Sequence, residues 1–205
     1  MATLQRLVFA SGNAGKAREL QATLGTSVEL ILQGELGIES IEETGTTFSA
    51  NAILKAEHAA RVSGLPALAD DSGLEVDYLD GAPGVYSARF AGEGASDQDN
   101  LQKLLIELEG VAADQRGARF RCVLALVQAG DSEPLLAEGC WEGRIATAPS
   151  GDGGFGYDPI FVDAESGEIS AELAPAEKNR RSHRGRAVAA LSKSLRAAGL
   201  LPASG

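Results

Sequence analysis

The run LQRLVFASGNAGKARELQATL, residues 4–24, decides how the rest of the chain is read. Its opening residues 4–10, with Leu7, Val8 and Phe9 at the centre, have the short apolar character of a buried strand. They lead without pause into Ser11, Gly12, Asn13, Ala14, Gly15 and Lys16, and residues 17–24 then read as a helix. A glycine loop between a strand and a helix offers backbone N–H groups and a helix N-terminus to an anion, and Lys16 adds a full charge. The loop is not a P-loop. That motif needs glycine where Ala10 stands and a hydroxyl residue where Ala17 stands. The plainer alternative is a strand-to-helix turn with a surface lysine.

Outward from this unit, residues 28–32 read as a second strand, and a polar segment then leads into a helix over about 47–62. Residues 67–69 and 74–76 form short apolar runs that flank Asp70, Asp71, Ser72 and Gly73. Leu101, Leu104, Leu105 and Leu108 mark an amphipathic helix beginning near Ser96. Residues 119–127 are apolar on both alternating faces, the pattern of a strand covered on both sides, and 135–147 reads as its hairpin neighbour. A short strand over 159–162 and a closing helix over 185–198 complete the order. Strands alternate with helices early and pair locally later, with no repeat and no linker. The expected fold class is α/β with a central mixed sheet, in a single domain covering residues 1–205.

Composition narrows the function. Eighteen basic against 29 acidic residues give a net charge of −11, which opposes attraction to nucleic acid polymers or an anionic membrane, so any phosphate site must be built locally. Cys122 and Cys140 show no metal-ligand or CxxC spacing and are expected to be buried free thiols. No apolar stretch is long enough to span a bilayer and no signal peptide is evident at the start, so a soluble, cytoplasmic protein is expected.

Three further constellations bear on chemistry. Residues 151–156 satisfy GxGxxG literally, but they follow Pro149 rather than a strand, and Pro159 prevents a helix from opening there, so a dinucleotide site is rejected. What remains is a glycine run that groups Phe155, Gly156, Tyr157 and Asp158 as a shelf for an aromatic base with a carboxylate acceptor, or simply a turn with a tucked aromatic. Glu42 and Glu43 before the second helix, with Asp70 and Asp71, could converge on Mg²⁺; equally, Glu43 could favour a helix N-terminus and the aspartates could form a turn. Finally, residues 178–186 place five Lys/Arg in nine positions, either an anion clamp or a solvated loop and helix start. His58 reads as an exposed helix residue.

In order and spacing, five segments resemble the inosine triphosphate pyrophosphatase family: SGNAGKARE (11–19), EETGTTFSANAILKA (42–56), ADDSGLEVDYLDGAPGVYSARFAG (69–92), GGFGYDPIF (153–161) and KNRRSHRGRA (178–187). The resemblance spans nearly the whole chain. It implies a homodimer of elongated two-lobed subunits that bind a nucleotide in a cleft between lobes, require Mg²⁺, and hydrolyse purine nucleoside triphosphates with altered bases, such as ITP, dITP and XTP. By the family pattern, the loop from Ser11 to Lys16 and Lys55 approach the phosphates. Glu43 and Asp71 serve the metal, and Asp71 accepts the proton of the attacking water. Ser72, Phe155 to Asp158, Lys178, His183 and Arg184 line the substrate pocket. For the base, Arg184 or His183 is expected to donate to the 6-keto oxygen, and Asp158 to accept from the ring N–H. Rival readings are a pyrophosphatase for other modified nucleotides and a non-catalytic nucleotide- or RNA-binding protein.

Overall fold

Asn13 fixes where the first helix starts. Its backbone is extended (φ −88°, ψ 102°), and its side-chain Oδ1 accepts from the amides of Gly15 (2.9 Å) and Lys16 (3.1 Å). This is the N-cap arrangement that satisfies otherwise orphaned first-turn donors. Helix α1 therefore spans Ala14–Leu24, three residues earlier than its apolar spacing suggests. The computed structural model describes residues 3–26, 28–128 and 133–202; the tip of the hairpin expected after residue 127 and the side chain of Ala14 lie outside the described residues.

Strand β1 (Arg6–Phe9) precedes this helix, and β2 (Glu29–Leu32) follows it, pairing parallel with β1 in the register Arg6↔Glu29 to Phe9↔Leu32. Helix α2 (Phe48–Ser63) starts at the cap Thr47, whose side chain accepts from Ala50 N, and stops at left-handed Gly64. Strand β3 (Ala67–Val76) then pairs parallel with β1 through Val8↔Ala67 and Phe9↔Leu68. Helix α3 (Asp97–Glu107) opens on a capping box between Ser96 and Asp99. Strands β4 (Gly117–Val127), β5 (Leu135–Ile145) and β6 (Phe161–Asp163) complete a six-stranded sheet ordered β2-β1-β3-β4-β5-β6, with β5 and β6 antiparallel. The mixed α/β sheet is as expected. Helices α4 (Pro175–Arg181) and α5 (His183–Ala197) end the fold.

Three local expectations are corrected. Asp70 and Asp71 do not make a turn: β3 runs unbroken through Asp70, Asp71, Ser72 and Gly73. Partners from elsewhere in the chain satisfy both carboxylates in place, as described below. The strand expected at 159–162 begins only at Phe161, because Asp158–Ile160 forms one 3-10 turn containing Pro159. The basic run is no loop, since its first part is the helix α4.

The chain divides into two compact units of interleaved segments: Met1–Asp71, Cys122–Gly139 and Arg186–Gly205 in the first, Ser72–Arg121 and Cys140–Gly185 in the second. The first packs Leu7 and Phe9 of β1, Leu20 and Leu24 of α1, Leu124 and Leu126 of β4, and Val188, Leu191 and Leu195 of α5 into one core. The second is built on Leu101, Leu104, Phe120, Trp141, Ile145 and Phe161. Strand β4 departs from the expected double-sided burial. Residues from Cys122 onward are buried on both faces, but Gly117, Arg119 and Arg121 keep one face half-exposed. On that face Arg119 reaches Asp77 (2.7 Å) and Glu142 (3.3 Å). Cys140 is half-buried rather than buried; burial and its bond to Glu142 push the thiol up to about 11. Among the described residues no helix is long and apolar enough to cross a membrane.

The second unit's core contains a charged group. Asp163, 1% exposed, accepts from the Trp141 indole (3.0 Å) and from Arg181 (2.7 Å). Burial would raise its pKa, but these donors, with Glu165 N–H and the Ser166 hydroxyl, outweigh that and hold it at about 2. Because the folded value lies below the unfolded one, the stabilisation is present above about pH 4 and is lost as pH falls towards 2. Asp163→Asn is expected to cost about 2 kcal/mol at pH 7 and to flatten the acid limb of stability in that window. Urea unfolding midpoints at pH 7 and pH 3 check it.

Candidate active site

The first unit assembles the residues suited to phosphate. Lys16 leaves the first turn of α1 and its ammonium reaches Asp70 Oδ2 at 2.6 Å, where the carboxylate is 3% exposed. Ser11 steadies the loop by accepting from Asn13 N–H at 3.2 Å, while Gly12 and Asn13 are exposed. Successive side chains of a strand point to opposite faces, so Asp70 and Asp71 of β3 serve different neighbours. Asp71 turns to α2, where Asn51 and Lys55, four residues apart, share a helix face.

Lys55 Nζ lies 2.5 Å from Glu43 Oε1 and 3.4 Å from Asp71 Oδ1, so the two carboxylates expected to act together do share one cation. Asn51, fully buried, donates to Asp71 Oδ2 (3.1 Å) and accepts from Gly45 N (2.7 Å). It thereby fixes both the catalytic candidate and the loop that carries Glu43. Gly45 must be glycine here, because a Cβ would stand 2.6 Å from Asn51 Oδ1. Burial pushes the Asp71 carboxyl up, with Lys55 opposing and Glu43 reinforcing the rise. Lys55 is held above its ordinary value, since Asp71 and Glu43 more than offset its burial.

Glu43, Asp70 and Asp71 carry three negative charges against two on Lys16 and Lys55. Two acidic oxygen donors on one ammonium are also the donor set that Mg²⁺ takes, which commonly uses one or two carboxylates and completes its shell with water and substrate phosphates. Among the described residues no group of three or more His, Cys, Asp or Glu could hold a metal alone. The residues therefore fit a cation shared with a phosphate ligand.

The second unit assembles the aromatic shelf. Phe155 is 58% exposed, and Lys178 Nζ and Arg184 Cζ each lie 5.7 Å from its ring centroid. Left-handed Gly154 (φ 80°) makes the turn before it, and a Cβ there would strike the Asp158 carboxylate. Gly156 N donates to Asp97 of α3 (2.8 Å), and the buried Tyr157 hydroxyl donates to Ser87 O (2.8 Å). Asp158, expected as an acceptor for a base, already accepts from three groups of the chain. Oδ2 takes Lys178 Nζ (2.6 Å) and Phe155 N (2.8 Å), and Oδ1 takes the Ser170 hydroxyl (2.8 Å).

The basic run is divided among several partners. Arg180 and Arg181 pair with Glu177, and Arg181 also pairs with Asp163, while Lys178 and Arg184 lie beside Phe155. His183 stacks on Phe120 at 4.8 Å and 14°, packed against a core aromatic. Ser72, half-buried, directly follows Asp71 in β3. Asn51, Asp97 and Ser170 were not singled out in the sequence. Asn51 alone left a signal there, as a polar residue within an apolar helix stripe.

The first unit thus carries lysine-countered carboxylates beside a glycine loop, and the second an aromatic shelf flanked by cations, which is the chemistry of an anion-handling protein. Residues 7–194 match the model of the Ham1 family, and the chain belongs to that family. A protein of Methylococcus capsulatus named dITP/XTP pyrophosphatase is 60% identical over 195 residues, covering 94% of this chain and 97% of the relative. One of Escherichia coli K12 with the same name is 54% identical, covering 94% and 99%. Among solved structures, a HAM1 protein from Coxiella burnetii superposes with a TM-score of 0.90 at 48% identity, covering 95% of this chain and all of that one. The Staphylococcus aureus Ham1 protein gives 0.88 at 39%, with the same coverage. The family resemblance drawn from the five motifs is borne out.

Proposed function

We propose that this chain is a nucleoside triphosphate pyrophosphatase that cleaves non-standard purine nucleotides (ITP, dITP and XTP) to the monophosphate and pyrophosphate, in the cytoplasm. The observation that carries the reading is Asp71, a buried carboxylate oriented by Asn51 beside a lysine and a second acid. The names of its relatives support the choice of substrate.

Water attacks the α-phosphorus, the α–β anhydride bond breaks, and pyrophosphate leaves with the bond electrons. Asp71 Oδ1 accepts the proton of that water. Lys16 and Lys55 exchange their carboxylate partners for phosphate oxygens and offset charge that builds on the leaving group. Glu43 and Asp71 would hold Mg²⁺, which when bound supplies further positive charge to the phosphate oxygens. The loop from Ser11 to Lys16 contributes its backbone to the same end.

At the base, Phe155 stacks on the purine. The Lys178 ammonium, with one proton on Asp158, keeps donors for a 6-keto oxygen, and Arg184 adds more. Adenine presents an amino donor there, so donors would face a donor. Base stacking on an aromatic is worth roughly 1–3 kcal/mol, so Phe155→Ala is expected to raise the KM for ITP about tenfold or more with a smaller change in kcat, read from initial rates.

The decisive experiment offers ITP, dITP, XTP, GTP and ATP to the purified protein with and without Mg²⁺ and resolves the products. One-step release of pyrophosphate from the first three, dependent on Mg²⁺, is expected. Sequential release of inorganic phosphate, or binding without turnover, overturns the reading.

A further inference from the structure

We infer that the Arg181–Asp163 ion pair is a positioning device for base recognition: it sets the α4–α5 corner that presents Lys178 and Arg184, without itself touching the nucleotide. The inference rests on the substrate reading above and assigns a task to two residues which that reading leaves unused.

Helix α4 cannot hold its own place. It has seven residues, none of them buried, and no side-chain N-cap. So short a helix is unstable alone and normally depends on an apolar face it can bury. Its attachments are polar instead. Lys178 and Arg181, three residues apart on one face, reach Asp158 (2.6 Å) and Asp163 (2.7 Å), the first residue of the 3-10 turn and the last of β6. The first bridge belongs to the base site, where Lys178 also faces the ligand. The second does not.

Asp163 is built as a fixed anchor. Before Arg181 is counted, its oxygens already receive the Trp141 indole N–H (3.0 Å), the Ser166 hydroxyl (3.0 Å) and Glu165 N–H (3.2 Å). Trp141 is 1% exposed and stacks at a tilt on Phe161 (5.1 Å), so the carboxylate is tied into the core of its unit. On the helix side Arg181 also grips Glu177, one turn earlier. Asp163 stays ionised down to about pH 2, so the pair is intact wherever an assay would run.

The corner beyond Arg181 is stiff enough to carry that placement forward. Ser182 N bonds to Lys178 O (2.8 Å), and Gly185 N bonds to the Ser182 hydroxyl (3.1 Å). Gly185 passes so close beneath the Asn179 carbonyl that a Cβ there would overlap the oxygen. Arg184 therefore stands at a corner whose α5 side is held by the stack of His183 on Phe120 and whose α4 side is held by Arg181.

The test compares Arg181→Gln, Arg181→Lys and wild type in kcat and KM for ITP and XTP. Emission from Trp141, the single tryptophan of the chain, reports the state of the Asp163 anchor independently of activity. Arg181→Gln is expected to raise both KM values about tenfold while kcat stays within about twofold, and Arg181→Lys to recover much of the loss because it restores the charge without the fork. Unchanged KM values in Arg181→Gln with a shifted Trp141 emission overturn the inference. So does an equal fall of kcat and KM performance in both variants, the mark of a merely structural role. If Arg181→Gln does not fold, Asp163→Asn, which removes the other half of the pair, decides: a raised KM at preserved kcat supports the inference and an unchanged KM overturns it. Wild-type protein inactive on both nucleotides would instead sink the substrate reading, and this inference with it.

Discussion

Asp71→Asn is expected to lower kcat for ITP by roughly 10³-fold, while nucleotide affinity changes little. The substitution keeps the shape of the side chain and the acceptor that Asn51 Nδ2 uses at 3.1 Å. What it removes is the ionised oxygen 3.4 Å from Lys55, the proposed proton acceptor, and it puts in a form that cannot take a proton from water. Lys55 retains Glu43 at 2.5 Å, so the phosphate-facing lysine keeps a partner. The stability of the same variant separates catalysis from architecture. Burial and Glu43 raise the Asp71 carboxyl above its unfolded value, so ionising it in the folded chain disfavours folding as pH rises through the folded value. Asn carries no such charge, and the thermal midpoint at pH 7 is expected to be unchanged or higher. Activity lost without stability lost is the signature of a group placed for function at a cost to the fold. A residual kcat within tenfold of wild type would remove Asp71 from the proton-acceptor role.

The pattern of what could be read in the sequence follows from the range of the interactions involved. The strand, glycine loop and helix at residues 4–24 are legible because each depends on near neighbours: Leu7, Val8 and Phe9 alternate within one strand, and Asn13 caps amides two and three residues away. Ser96 and Asp99 likewise announce α3 through a local capping box. Asp70 and Asp71 mislead for the opposite reason. Two adjacent aspartates look like a turn until Lys16, 54 residues earlier, and Asn51, 20 residues earlier, supply the partners that let a strand bury them. Helix α4 left no apolar period because it buries no residue. The partners of the Asp158 carboxylate are illegible in the sequence, because nothing local indicates that Ser170 and Lys178, 12 and 20 residues later, reach it. The GxGxxG run at 151–156 opens no dinucleotide helix, as Pro159 predicts: Gly151, Gly154 and Gly156 all take positive φ, and the segment runs into a 3-10 turn rather than an α-helix.

Gly185→Ala provides the sharpest conflict between local propensity and tertiary packing. Gly185 lies in the first turn of α5 and is not among the residues with positive φ, so its backbone would admit any residue. Judged by helix propensity, alanine should stabilise that position by about 1 kcal/mol. The Asn179 carbonyl reverses the sign. A Cβ at 185 would overlap that oxygen, which belongs to the backbone and cannot rotate aside. Relief requires either the last turn of α4 or the start of α5 to move. The first strains Ser182 N to Lys178 O and the Arg181–Asp163 pair, and the second strains Gly185 N to the Ser182 hydroxyl. Overpacking of this kind costs roughly 1–3 kcal/mol where side chains can yield, and a clash with backbone should reach or exceed the upper end. We expect Gly185→Ala to lower the urea unfolding free energy by about 3 kcal/mol or more and, in protein that remains folded, to raise the KM for ITP, because Lys178 and Arg184 stand on either side of the displaced corner. A variant as stable as wild type, or more so, would mean that α4 and α5 do not meet at the close turn on which the placement of both cations depends.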